Sequence, residues 1–142
     1  MSAARRQSRE VALQALYAWQ LSGGDALSEL KSLEGFAESD KSLAESLVAG
    51  VREKAGELQA LISPHVDRGF EKLSPIERAI LYIGTYELSA HPRTPFRVVL
   101  NEAIELGKSF GATDGYRFVN AALEKIAAAL RPQEVARTRT NA

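Results

Sequence analysis

At 142 residues, 45% hydrophobic and 25% charged, the chain is long enough to bury a core without disulfides or metal and fits one domain better than two. It has no cysteine, which excludes a disulfide framework, a thiolate nucleophile and a cysteine zinc site, and fits a reducing cytoplasm. Its 18 basic residues balance its 18 acidic ones, and no run approaches the roughly 18 apolar residues of a membrane span, so neither wholesale coating of nucleic acid nor a transmembrane role is expected.

Helical periodicity dominates along the chain, and period-two alternation is nearly absent. The first helix is expected over residues 3–22, with Val11, Ala12, Ala15, Leu16 and Trp19 on one face. Gly23 and Gly24 stop it, and Asp25 can cap a weaker, more acidic helix over 26–36. A third helix over 41–62 offers Leu43, Leu47, Val51, Leu58 and Leu61 to the core, with Gly50 and Gly56 interrupting its pattern. The segment "SPHVDRGFEKL" is a connector, because the residue before Pro64 is pushed away from helical geometry. Ser74-Pro75-Ile76-Glu77 is the clearest start signal. Ser74 and Glu77 can cap each other's backbone N–H, and Pro75 occupies the first helical position, where a missing N–H costs nothing. That helix is expected to run to residue 90, where "HPRTP" breaks it. A fifth helix follows over 96–110, and the last begins near Thr113 or Asp114 and ends at Arg131, burying Val119, Ala122, Leu123, Ile126 and Leu130. The predicted architecture is an all-α bundle of six or seven helices in two packed halves. It forms one domain over residues 1–132, and residues 133–142 read as a frayed, flexible tail.

Charge is unevenly spread over these elements. Residues 1–9 hold Arg5, Arg6 and Arg9 with no acid, whereas residues 25–45 hold six acids against Lys31 and Lys41. On a helix turning about 100° per residue the three arginines and Gln20 fall in one arc, with Leu13 inside it and Tyr17 at its edge. Two readings stay open: a solvated helix start, or a small surface for phosphates and bases. Guanidinium groups fork onto phosphate, tyrosine stacks on bases, and cations at a helix start oppose the macrodipole. The helix after Ser74 carries a comparable surplus. Ile76, Ala79, Ile80 and Ile83 suffice for a core face, yet Glu77, Leu81, Gly84 and Leu88 form a second stripe. That stripe fits either a partner protein or a helix buried on two sides of its own bundle. Glu87, close to the core face, reads as a buried, hydrogen-bonded structural carboxylate.

Catalytic and metal patterns are thin. His65 and His91 sit beside prolines in separate connectors and match no zinc or triad spacing. Glu102 and Glu105 are three apart on a helix and read as solvated charge, since no further ligand stands nearby. "GKS" at residues 107–109 lacks the earlier glycine of a phosphate loop, where Glu102 stands instead. No enzyme and no cofactor is expected.

Four blocks in order carry a resemblance: "ARRQSREVALQALYAWQLS", "LSPIERAILYIGTYEL", "NEAIELGKSFGATDGYRFVNAALEKIA" and a closing "RP". The chain resembles the NusB family of bacterial transcription antitermination factors over nearly its whole length. The resemblance implies an all-helical, non-enzymatic protein. Such a protein binds the boxA element of ribosomal RNA operon transcripts together with NusE, a small-subunit ribosomal protein. With other Nus factors on RNA polymerase, the pair suppresses premature termination. The resemblance also assigns residues. Arg5, Arg6 and Arg9 match the arginine-rich motif, with Gln7 where relatives can be basic. Arg117, Phe118 and Asn120 at the start of the last helix join Tyr17 on the RNA surface, Phe118 either stacking on a base or packing. The NusE surface falls on the helix of Glu77, and so on the stripe of Glu77, Leu81, Gly84 and Leu88. Two alternatives accompany this reading. One is a helical adaptor or homodimer that does not touch RNA. The other is the similar domain of some RNA cytosine methyltransferases, whose enzyme needs a much longer chain.

Overall fold

The computed structural model describes residues 3–111 and 115–140. In chain order, its helices are α1 (Ala3–Ser22), α2 (Ala26–Ser32), α3 (Lys41–Ile62), α4 (Pro75–Ala90), α5 (Phe96–Phe110), α6 (Gly115–Leu130) and α7 (Pro132–Thr140). Two 3₁₀ turns, Ser63–His65 and Phe70–Lys72, lie between α3 and α4. Among the described residues there is no strand, and the all-α bundle is as expected. The start of the last helix near Thr113 or Asp114 lies outside the described residues.

Local chemistry sets most boundaries. The Asp25 carboxylate accepts from the N–H groups of Leu27 and Ser28, and that of Asp40 from Leu43, so each caps the helix that follows. At the start of α4, Ser74 accepts from the Glu77 N–H and Glu77 accepts from the Ser74 N–H, both at 3.1 Å. The expected helix over 26–36 stops at Ser32, and Gly35 follows in a left-handed turn with φ +96°. The α3 stripe also changes phase. Lys54 leaves helical geometry at φ −110°, ψ 18°, and beyond this kink Leu58 and Ile62 point inward while Leu61 is exposed, contrary to the core place expected for it.

The centre of the bundle is α4, which packs against α1, α3, α5 and α6. This settles the second stripe in favour of the intramolecular reading. Leu81 is 0% exposed, Leu88 is 3% exposed and Gly84 is buried, and a Cβ on Gly84 would lie 2.9 Å from both Leu123 methyls of α6. Leu81, Gly84 and Leu88 are therefore core residues of this chain, and the partner stripe expected from them is corrected. A helix surrounded by four others must be apolar on more than one face.

The C-terminal segment is corrected as well. Residues expected to fray form α7 and bury Val135. The Glu134 carboxylate accepts from the Phe96 N–H at 2.8 Å, capping α5, whose own N-cap is a proline with no side chain to do so. Arg131 braces the turn between α4 and α5. It donates to the carbonyls of Glu87, Leu88, His91 and Thr94 at 2.6–3.1 Å and to the Glu134 carboxylate at 3.0 Å. The Phe96 and Arg131 hydrogen bonds hold the Glu134 carboxyl below its usual range despite partial burial.

Two α3 glycines separate packing from propensity. The Tyr86 ring of α4 occupies the space a Cβ on Gly50 would need, whereas nothing lies within 4 Å of one on Gly56. Gly50→Ala is expected to lower the unfolding free energy by about 1–3 kcal/mol through overpacking. Gly56→Ala is expected to raise it by up to about 1 kcal/mol through helix propensity. Urea titration of both variants checks this, and equal effects would refute the close approach of α3 and α4.

Candidate nucleic-acid interface

Arg9 starts the core stripe of α1: Ala12, Leu13 and Leu16 follow on the same face, and all are buried. A guanidinium there must find carboxylates or leave water unpaired. Arg9 meets Glu87 of α4 through a two-pronged bond, Nε to Oε2 and Nη2 to Oε1, both 2.8 Å. Its Nη1 lies 3.7 Å from Glu102 of α5. The Arg9 and Glu87 side chains are 1% and 2% exposed. Burial opposes the charge on Arg9, but the hydrogen bond to Glu87 and the charges of Glu87 and Glu102 outweigh it, and its pKa is raised. The expectation that Arg9 lies on an RNA-facing surface is therefore corrected. Arg9 is a strut between α1, α4 and α5.

Arg6, one turn earlier, also forks onto Glu102, Nε to Oε1 at 3.2 Å and Nη2 to Oε2 at 2.8 Å, yet half of its side chain faces solvent. Glu102 itself is buried and serves both arginines, so the expectation of a solvated helix charge there is corrected too. Arg6, Glu10, Glu102, Glu105, Leu106 and Ser109 line a groove of about 240 Å³ between α1 and α5. Arg5 is exposed on the other side of α1. Ser8 ties the α1 start to the segment before α3, donating to the Asp40 carbonyl at 2.7 Å.

Of the remaining residues in the expected arc, Leu13 is 1% exposed and belongs to the core, and Gln20 donates to the Pro75 carbonyl at 2.9 Å. This bond and the Arg9–Glu87 pair make α1 run antiparallel to α4. Tyr17 is 37% exposed. On α6, Arg117 is exposed and Asn120 half-buried. Phe118 packs against the core with the Arg68 guanidinium 4.9 Å from its ring centroid, which favours packing over a ring open for stacking. The α5 helix links the two regions: Glu102 holds Arg6, and Gly107 lies so close to Tyr116 that a Cβ would stand 2.6 Å from the Tyr116 Cβ. Glu77 is half-buried and its carboxylate serves the α4 cap.

Sequence reasoning missed Arg93 and His91 as neighbours of Arg5. All three line a cleft of about 450 Å³ between α1, α3 and the turn after α4. Among the described residues, no three His, Asp or Glu side chains gather as a metal site would require, and no helix is long and apolar enough to cross a membrane.

Fold and surface define a class: an all-α bundle whose first helix carries both a buried arginine strut and an exposed face of arginine and tyrosine. The sequence model of the NusB family matches residues 6–128. Over 134 residues the chain is 48% identical to the transcription antitermination protein NusB of Burkholderia lata, covering 92% of both chains. The solved structure of T. maritima NusB superposes with a TM-score of 0.83 at 27% identity, covering 96% of this chain and 99% of that one. A chain of the crystal structure of antitermination factors NusB and NusE in complex with dsRNA superposes with a TM-score of 0.78 at 25% identity, covering 91% and 99%. The chain belongs to the NusB family, whose curated members are transcription antitermination proteins.

Arg9→Ala leaves Glu87 buried without its partner and is expected to destabilise the fold by about 3–5 kcal/mol. Arg5→Ala, at an exposed position, is expected to change stability by less than about 0.5 kcal/mol. Chemical unfolding monitored by circular dichroism checks the contrast, and matching midpoints for the two variants would remove the structural role of Arg9.

Proposed function

We propose that the chain binds single-stranded RNA of the boxA type together with a NusE-like small-subunit ribosomal protein. In this reading it suppresses premature termination by cytoplasmic RNA polymerase, with other Nus factors, as a binding module with no chemistry of its own. The observation that carries this reading is the exposure of Arg5, Arg6 and Tyr17 on α1, with Arg5 and Arg6 on different sides of the helix. Arginine forks and a tyrosine ring are the groups that grip a flexible strand, holding phosphates and stacking unpaired bases. The similar chain from a complex of NusB and NusE with double-stranded RNA supports both kinds of partner. An exposed ring finds a stacking face on a splayed base and not inside a duplex, which favours a single strand at Tyr17. Arg117 and Asn120 extend the surface onto α6, while Phe118 supports that helix start from below.

The NusE contact is proposed at the start of α4, on Glu77 alone of the four residues first expected. Gln20 anchors the end of α1 beside Pro75, and Leu21, one residue on, is 60% exposed. A carboxylate near an exposed leucine suits a basic ribosomal protein with an apolar contact.

Two outcomes follow. In anisotropy titrations with boxA RNA, Tyr17→Ala weakens binding about tenfold through lost stacking. Arg6→Ala lowers the log–log salt slope by about 0.7, one phosphate contact on a single strand. Helical content stays intact, because Glu102 keeps Arg9. Undiminished affinity in both variants removes α1 from the site. By calorimetry, Glu77→Lys loses NusE binding, while Glu77→Gln, which retains a side-chain oxygen for the Ser74 N–H but not the charge, binds more weakly than the unmodified chain and more tightly than Glu77→Lys. Full binding by Glu77→Lys removes the α4 start from that interface.

A further inference from the structure

The cleft beside the α1 start holds more cationic than anionic groups in a concave space. Its lining includes Arg5 from α1, Ser42 and Ser46 from α3, and His91, Arg93 and Thr94 from the turn after α4. Among the described residues, Arg93 forms no ion pair and is exposed. The one carboxylate in the lining, Asp40, already accepts from the Leu43 N–H to cap α3, and Glu87 behind His91 is engaged by Arg9. The volume of about 450 Å³ falls in the range of roughly 300–1,000 Å³ that holds a small organic ligand. A second groove of about 540 Å³ shares Ser42 and Ser46 with it and is lined beyond them by Lys31 and Glu45, whose charges balance.

His91 is held in place. Its ring stands edge-on to Tyr86 at 5.4 Å and 74°, and its carbonyl accepts from Arg131. Burial lowers its pKa, and the charges of Arg9, Arg5 and Arg131 act in the same direction against the attraction of Glu87. The imidazole is therefore neutral at physiological pH, offering one donor and one acceptor rather than a further charge.

We propose that this cleft is a second RNA subsite, taking a nucleotide that flanks the boxA element, with Arg5 and Arg93 on its phosphates and His91 toward its base. The proposal rests on the RNA-binding reading above. Arg5 joins the two regions, since it stands on α1 with Arg6 and Tyr17 and also lines the cleft. A strand leaving the α1 surface past Arg5 meets Arg93 next, then the serine hydroxyls of α3. An acidic peptide would satisfy the arginines but has no base for a neutral imidazole to address.

The test uses the full chain with NusE, a minimal boxA RNA, and the same RNA lengthened by about six unstructured nucleotides at the 5′ end or the 3′ end. For the unmodified chain, one extension is expected to tighten binding roughly threefold to tenfold, the net worth of about one ordinary hydrogen bond. In Arg93→Ala the ratio of long to short affinities falls to near one, and in Arg93→Glu it falls below one. A gain that survives both substitutions, or no gain from either extension, overturns the proposal while binding of the short RNA leaves the α1 reading standing. Loss of NusE affinity without change in the RNA ratio assigns the cleft to protein and also overturns it. Failure of the unmodified chain to bind any of the three RNAs overturns both readings.

Discussion

The arrangement of this bundle depends on two carboxylates, Glu87 and Glu102, meeting two arginines, Arg6 and Arg9, at the junction of α1, α4 and α5. Removing a guanidinium from water costs several kcal/mol, and only a close, multiply bonded anion offsets it. The fork between Arg9 and Glu87 fulfils that condition with both bonds at 2.8 Å. It is directional where apolar packing is not, so it fixes the register of α1 against α4. The same pairing eases two unfavourable placements. Arginines at the start of α1 oppose its macrodipole, and Glu87 in the last turn of α4 opposes that of α4. Bringing these ends together lets each cancel the other, and Arg131 adds a second cation where the last α4 carbonyls need donors.

The turn after α4 shows how the C-terminal end contributes to a surface built mainly by α1. Arg93 and Thr94 lie between Pro92 and Pro95, with His91 just before them. Arg131 gathers four carbonyls from this turn and the end of α4, and Glu134 caps the helix that follows. The brace converts a loop into a fixed wall opposite Arg5. A short helix of nine residues, mostly polar and with one buried valine, gains little from its own propensity. It persists because Glu134 and Arg131 dock it.

Much of this was legible in the sequence because it is local. The Ser74–Glu77 cap, the stops at Gly23 and the prolines, and the stripes of α1 and α6 follow from spacing alone. What was not legible depends on which element faces which. A second apolar stripe on α4 reads the same whether the covering surface is α6 or another protein, and Leu81, Gly84 and Leu88 were assigned outward for that reason. The phase change after Lys54 moved Leu61 out and Ile62 in, and nothing in the local spacing marks a kink at a lysine. The arginine strut did leave a signal. Arg9 precedes Ala12, Leu13 and Leu16 by three, four and seven residues, and Glu102 stands between Val99 and Leu106 at the same kind of spacing. A charge inside an apolar stripe asks for an opposite charge inside another, and pairing those positions would have separated Arg9 from Arg5 and Arg6 before any coordinates.

Membership of the NusB family gives the division among the three arginines its meaning. A cluster wholly exposed would bind phosphate but could not anchor its helix, and one wholly buried would anchor without binding. Here Arg9 is committed inward, Arg5 outward, and Arg6 stands between, half in solvent with Glu102 beneath it. The shared carboxylate matters for the proposed RNA contact. A phosphate that draws Arg6 away from Glu102 would ordinarily leave a buried anion uncompensated, at a cost that erases the gain. Glu102 already has Arg9 at 3.7 Å, so that cost is reduced and Arg6 can exchange one anion for another. The acidic groove of Glu10, Glu102 and Glu105 then sets a threshold rather than a block. In the proposed contact, its charge would weaken attraction for stray polyanions and reserve tight binding for strands that also place a base on Tyr17.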